Sequence, residues 1–518
     1  MAYFTGTVTD YSRKPLNAVA CEVTFTANGP SLNGSIVLTT RSVTVTPDAN
    51  GFVIVNLAPT ATLYPAGTYY TAKVSWLDSA GNYIQIDHLP WKLHASSSGG
   101  SIAGMIDDNP PSSPNPDGMV NAPTGFGWAS SPLAGRIFKS GGLFTTTLDA
   151  ASYKLTGGKA YYVDVANGLD TNAGTLAAPY KTVKKAHDQT DVQTIFVRAT
   201  GIYVRANQMN GFPLTKSINI IGYDGTPLIS NSDALTWALT AGKTYTYQAT
   251  RSNVGNLADI AGGLPGTRYV KKTSIAEVEA TPGSYFPDAT IVYVRTIDGR
   301  AADANILALI AGGGPILTTG DFTTYLENID VVGGQSTIDV RCPDAGVGPV
   351  LAMKNVRAGY STVTNVVNVL GAKLVVSQNC EAFHGTADGF NYHIYNGVIP
   401  KAIEINCRGY SNGGGTSSDN GSSAHDGSSI IRVNGQYFGN VHSNVADVHA
   451  GTQSWNLGCA AYTSGVEDDF TFLTDTPAAW LDSCAGFGSR YGLTVGATAT
   501  VKVRDSAFSS INGTTTTY

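Results

Sequence analysis

Along most of the chain, apolar residues alternate with polar ones or stand in short β-branched runs bounded by Gly, Asn, Asp and Pro. Within residues 1–94 the segments SVTVT, FVIVNL, TYYTAKVSW and NYIQID follow this pattern, and the turns PDANG and DSAGN separate them. Strands at that spacing predict a small β-sandwich. Residues 95–118 (ASSSGGSIAGMIDDNPPSSPNPDG) are dominated by Ser, Gly, Asp and Pro and predict a linker. Residues 119–158 are mixed and are taken as a neck.

From residue 159 the pattern changes. A strand over Tyr161–Val165 leads into a Gly/Asn/Asp loop. Pro179 then opens a short amphipathic helix with Val183 and Ala186 on one side. Two apolar strands follow, in QTIFVRATGIY and SINIIGYDGTPLIS. Further on, a register repeats. ENIDVV places Asn328, KNVRAGY Asn355, QNCEAF Asn379 and INCRGY Asn406, and DSCAGF and VRDSAF echo it with Asp482 and Asp505. A period in the twenties with strand-like triplets predicts one solenoid coil per repeat over residues 159–518. The Asn or Asp side chains are expected to stabilise a turn at one corner.

Composition agrees with an all-β chain. Charged residues are only 14% of 518, and the formal net charge of −6 gives no reason to expect a nucleic acid partner. No run of apolar residues is long enough for a transmembrane helix, so membrane insertion is not expected. The start, MAYFTGTVTD, lacks the basic and apolar segments of a secretory signal. The six cysteines, Cys21, Cys342, Cys380, Cys407, Cys459 and Cys484, form no CxxC pair and read as small buried apolar residues. No metal site and no cofactor are expected.

Two stretches carry a resemblance to known proteins. DANGFVIVNLAPTATLYPAGTYYTAKV and the following LPWKL resemble the N-terminal docking domains of phage tail fibres and tailspikes. KAYYVDVANGLDTNAGTLAAPYKTVKKAH with NIIGYDGTPLIS resembles the start of a right-handed parallel β-helix of the pectin-lyase-like type, in which a helix caps the open end. The resemblance implies an N-terminal β-sandwich that docks to a phage tail or baseplate protein, followed by the β-helix. It implies a homotrimer, although SSINGTTTTY shows no trimerisation or chaperone module. It also implies a place on the virion tail, synthesis in the host cytoplasm without a signal peptide, and action at the host surface on a polysaccharide, capsule or O-antigen.

Candidate chemistry gathers in one window. Five of the eight histidines, His384, His393, His425, His442 and His449, lie between residues 384 and 449. SNGGGTSSDNGSSAHDG (411–427) reads as a long loop projecting from a solenoid corner. Asp388, Asp426 and Asp447 fall at coil-scale intervals. Carboxylates one or two coils apart would lie about 5 or 10 Å apart, which brackets the separations used by glycosidases. These three are the candidate acid/base groups, with His393, His425 and His449 as orienting or proton-sharing neighbours. Tyr392, Arg432, Tyr437 and Trp455 are the candidate sugar contacts. Asp-Gly pairs also serve as plain turns, and the Glu467–Asp469 run reads as a solvated loop. A hydrolase is favoured over a lyase, which would want Arg or Lys beside a uronate. A non-enzymatic receptor-binding or structural tail protein stays open, as does a bacterial surface adhesin, which the missing signal disfavours.

Overall fold

The structure is a computed structural model. It describes residues 118–518 apart from 141–142, 210–212, 347 and 415–418. Before residue 118 it describes 2–7, 21–28, 30–33, 36–38, 42–48, 52–63, 68–77, 83–89, 92–96, 100–102 and 105. The chain divides into two compact units, residues 1–118 with 139–143, and residues 119–138 with 144–518.

The first unit is a β-sandwich. In one sheet Ala2–Thr7 pairs antiparallel with Phe52–Leu57 and parallel with Gly100–Ser101. The other sheet runs Val43–Val45, Cys21–Ala27, Tyr70–Leu77, Tyr83–His88. FVIVNL alternates exposed and buried, so Val53, Val55 and Leu57 meet Phe4, Val23, Phe25 and Val74 in the core. Ala95 and Met105 join that core, so the start of the expected linker packs with the sandwich. The Pro-rich part, 106–117, lies outside the described residues.

The second unit is a right-handed parallel β-helix built from three sheets. Sheet A has twelve strands, sheet B ten and sheet C nine. One coil reads A, B, C: Leu374–Gln378, Glu381–Phe383, Phe390–His393. The next is Lys401–Ile405, Arg408–Tyr410, Ser422–Ala424, and the third Ser429–Val433, Gln436–Phe438, Val445–Val448. The open end is capped by helix Val183–His187, whose Val183 and Ala186 pack with Tyr161 and Tyr180. The cap is required because the first coil would otherwise leave unpaired backbone groups against solvent.

The A-to-B corner is made by one residue per coil in the left-handed region. Asn328, Asn355, Asn379, Asn406 and Asn434 have φ of 52–54°. Asn adopts this conformation at low cost. The amides stack: Asn379 donates to Asn355 (3.1 Å), Asn406 to Asn379 (3.1 Å) and Asn434 to Asn406 (3.2 Å). The expected echo at Asp482 is one residue out of phase. Ser483 takes the turn, with φ 54°, and Asp482 is a buried partner of Arg504.

Two features were not foreseen. Residues 233–311 are not coils. They form two antiparallel-rich sheets inserted between consecutive coils, so that Ile218 pairs directly with Thr324. Alternating strands here look like coil strands until their pairing is known. Second, residues of 119–158 run along the outer face of sheet A. Phe126 packs on Trp455 and Trp480, Gly127 N–H donates to Gln453, Asn434 donates to the Phe144 carbonyl, Ala150 N–H donates to Gln378, and Lys154 pairs with Glu327. All six cysteines are buried, and none is in a disulfide.

Candidate functional site

On sheet C the register places Val340, Val369, Tyr392, Ala424, Asp447 and Phe472 in one row. That row faces the solenoid interior, where Val340, Val369, Tyr392 and Ala424 belong to the core. Asp447 therefore points inward. On sheet A, Glu404, Arg432 and Asn456 share a row with Met353 of the same core.

These inward groups close on one another. Arg432, fully buried, donates to both oxygens of Asp447 (2.8 Å each), to Ser422 Oγ (2.9 Å) and to Asn456 Oδ1 (3.2 Å). Glu404 accepts from Tyr392 (3.0 Å), Tyr437 (2.6 Å) and Ser422 (2.8 Å). Burial lowers the Arg432 pKa, but the Asp447 charge and hydrogen bonds outweigh it and hold the guanidinium above its ordinary range. Four expectations are corrected together. Asp447 is not an acid/base group facing substrate, and Arg432, Tyr392 and Tyr437 are not sugar contacts, because all four lie inside the coil stack. Trp455 is not a sugar contact either, since it is buried beneath Phe126.

Asp388 is also buried, at 1% exposure. Its Oδ1 accepts from Asn420 N–H (2.7 Å) and Asn420 Nδ2 (3.0 Å). Its Oδ2 accepts from Asn391 Nδ2 and Ser423 Oγ (2.7 Å each). Burial raises its pKa to about 6 despite these four donors. Asn391 Nδ2 lies 3.4 Å from His425 Nε2, so Asp388 reaches the histidines through Asn391 rather than directly.

The C-to-A corner holds the remaining groups. Asp426 sits in the left-handed region (φ 55°), followed by Gly427 at φ 85°, so it is both a turn residue and a half-exposed carboxylate. His393, one coil earlier, places Nδ1 3.0 Å from Oδ2. His449, one coil later, places Nδ1 2.7 Å from Oδ1, at an angle outside hydrogen-bond geometry. The three side chains are 32%, 34% and 39% exposed. Burial raises the Asp426 pKa, but the hydrogen bond and charge of His393 and the charge of His449 outweigh it and hold the carboxyl low.

His425 stacks on His393, with ring centroids 3.9 Å apart and planes 16° apart, and lies 5.4 Å from His449. Burial, and then the charges of the flanking histidines, push its pKa down to about 3. His425 is buried and packs against both flanking rings. The structure brings together His393, His425, Asp426 and His449, with Asp388 behind them. Among the described residues no group of three or more His, Cys, Asp or Glu side chains is arranged to hold a metal ion.

Other expectations change as well. The stretch 411–427 is not all loop, because Ser422–Ala424 is a sheet C strand. Asp468 and Asp469 are buried rather than solvated, Asp468 against Arg490 and Asp469 against Asn444 and Ser489. Sequence reasoning also passed over a row on the outer face of sheet B. Phe383, Tyr410, Phe438, Tyr462 and Phe487 stack ring on ring, centroids 4.9–5.6 Å apart. The signal was the aromatic third residue in EAF, RGY, QYF, AAY and AGF.

No protein-family model and no curated protein matches the chain. Solved structures similar to it include that of XylC with xylose, 11% identical over 67% of this chain and 69% of that chain, with a TM-score of 0.44. A glycoside hydrolase is 10% identical over 67% of this chain and 93% of that chain, with a TM-score of 0.44. The pectate lyase Pel9A is 12% identical over 70% and 78%, with a TM-score of 0.34.

Proposed function

We propose that this chain is a tailspike-like receptor-binding protein that binds and cleaves a bacterial surface polysaccharide, with the cleaving groups at His393, Asp426 and His449. The observation that carries this reading is one half-exposed carboxylate shared by two half-exposed imidazoles from the coils on either side. Each histidine turns Nδ1 toward Asp426, which leaves Nε2 free to exchange protons. Their backbones stand two coils apart, roughly 10 Å, with Asp426 between them. One neutral imidazole takes the proton of an attacking water. The other, as imidazolium, gives its proton to the departing glycosidic oxygen.

Hydrolysis is preferred over elimination because Arg341, on the outward row that leads to His393, is already engaged by Asp339 through Nε and Nη2. In this reading residues 1–94 dock to the phage tail, three copies assemble, and the β-helix meets capsule or O-antigen at the host surface. The test is incubation with purified capsule or O-antigen. New reducing ends without a new unsaturated sugar are expected. An unsaturated product would move the reading to a lyase. Binding without cleavage would leave a pure adhesin.

A further inference from the structure

Directly after His393 the chain leaves sheet C in a small β-hairpin. Tyr395 N–H donates to the Val398 carbonyl (3.2 Å), and Val398 N–H donates to the Tyr395 carbonyl (2.9 Å). Asn396 and Gly397 form the two-residue turn, with φ of 48° and 73°. A turn with both central residues in the left-handed region closes the tightest hairpins, and Asn-Gly favours it.

The hairpin is pinned over the preceding coils. Asn396 Nδ2 donates to the carbonyls of Cys342 (3.1 Å) and Pro343 (3.0 Å), two coils before His393. The first arm lies on Gly371, one coil before His393. A Cβ at Gly371 would stand 2.6 Å from the Tyr395 carbonyl oxygen and 3.2 Å from Tyr395 Cβ. On the other arm, Ile399 Cδ1 would stand 3.7 Å from a Cβ at Gly427, the residue after Asp426. The hairpin thus runs along the C-to-A corner, from the coil of Cys342 to the edge of the group formed by His393, Asp426 and His449.

The hairpin shows an apolar surface to solvent. Ile394, Tyr395 and Ile399 are 37%, 43% and 46% exposed. Residues 394–399 carry no charged side chain. Among the described residues no other ring stacks on Tyr395. An exposed ring on a backbone fixed by both its turn and its anchor has little freedom to lose on binding.

We propose that Tyr395 is a stacking platform that holds an uncharged hexopyranose unit of the polysaccharide beside the cleaving groups. A pyranose ring has a face made of C–H groups that suits an aromatic surface, and the Tyr hydroxyl at the ring edge can bond a sugar hydroxyl. Adjacent coils lie about 4.8 Å apart, close to the length of one sugar unit. A unit on Tyr395, over the coil of Gly371, therefore brings the next unit to His393 and Asp426. The inference rests on the polysaccharide reading and adds to it a residue that selects the sugar next to the cleaved bond.

The test reads binding apart from cleavage. Cellotetraose and a linear galactotetraose are titrated against the wild type, Tyr395→Ala and Tyr395→Phe. Saturation-transfer NMR records which sugar hydrogens touch the protein, and melting is followed for each variant. At least one of the two should bind the wild type through its C–H hydrogens. Tyr395→Ala should weaken that binding about ten-fold or more, while Tyr395→Phe keeps most of it and all three proteins melt alike. Binding of neither oligosaccharide would overturn the proposal, as would equal binding by the wild type and Tyr395→Ala. Equal loss in Tyr395→Ala and Tyr395→Phe would overturn the stacking. Failure of the cleavage reading shows separately, as binding that depends on Tyr395 without new reducing ends.

Discussion

Asp447 and Arg432 are closed on each other inside the solenoid, with two nitrogen–oxygen contacts of 2.8 Å and neither side chain reaching solvent. One coil earlier on the same sheet, Asp426 stands just past the strand end and shares its carboxylate with two exposed imidazoles. Two aspartates 21 residues apart in the sequence thus have opposite fates.

Asp447→Ala should therefore behave as a core mutation. It leaves the Arg432 charge buried without its partner, which costs about 3–5 kcal/mol. Denaturant melts should show that loss, and turnover per folded molecule should not change. Arg432→Met combined with Asp447→Leu should recover much of the stability, because the uncompensated charge is gone. A large drop in turnover in the folded fraction of Asp447→Ala would return this residue to the site.

The corner ladder separates backbone from side-chain effects. Asn406→Gly keeps the left-handed turn but loses the amide bonds to Asn379 and Asn434. Asn406→Ala loses both the bonds and the conformational ease. Ala should cost about 1–2 kcal/mol more than Gly. Equal melting of the two variants would remove the conformational part of the account.

Two carboxyls set a pH dependence of unusual sign. Burial raises Asp388 to about 6 and Asp469 to about 7. For a raised carboxyl the folded state prefers the protonated form. Its contribution is full below the ordinary carboxylate range and is lost as pH rises through the raised value. Wild-type stability should thus fall between about pH 4 and the raised value of each group, about 6 for Asp388 and about 7 for Asp469, by up to ~1.4 kcal/mol per pH unit per group, relative to a variant without it. Asp469→Asn should flatten that slope, since Asp469 Oδ2 has no partner and tolerates an amide. Identical slopes in melting against pH would contradict it.

Much of the fold was legible. Asn355, Asn379 and Asn406 stand at one corner because a turn residue must recur once per coil, and a single period suffices to see it. The insertion was not legible, since strands such as IVYVR alternate just as coil strands do and only their antiparallel pairing differs. The site was legible as a concentration of His and Asp. Direction was not, because a strand's inward and outward faces differ by one residue of phase. Asp447 and Tyr392 fell on the inner face, and nothing local marked them as inward. The anchor of Asn396 was out of reach, since it joins Cys342 and Pro343 from more than fifty residues away.

The central claim is that Asp426, through His393 and His449, carries the cleavage of a bound polysaccharide. The most direct measurement is Asp426→Asn, assayed for new reducing ends on the polysaccharide that the wild type cleaves, with binding and melting followed in parallel. Asn tolerates the left-handed turn at this position, so the fold should hold. Turnover should fall about 10²–10⁴-fold while binding and melting stay near wild type. Full turnover in a folded Asp426→Asn protein would contradict the account.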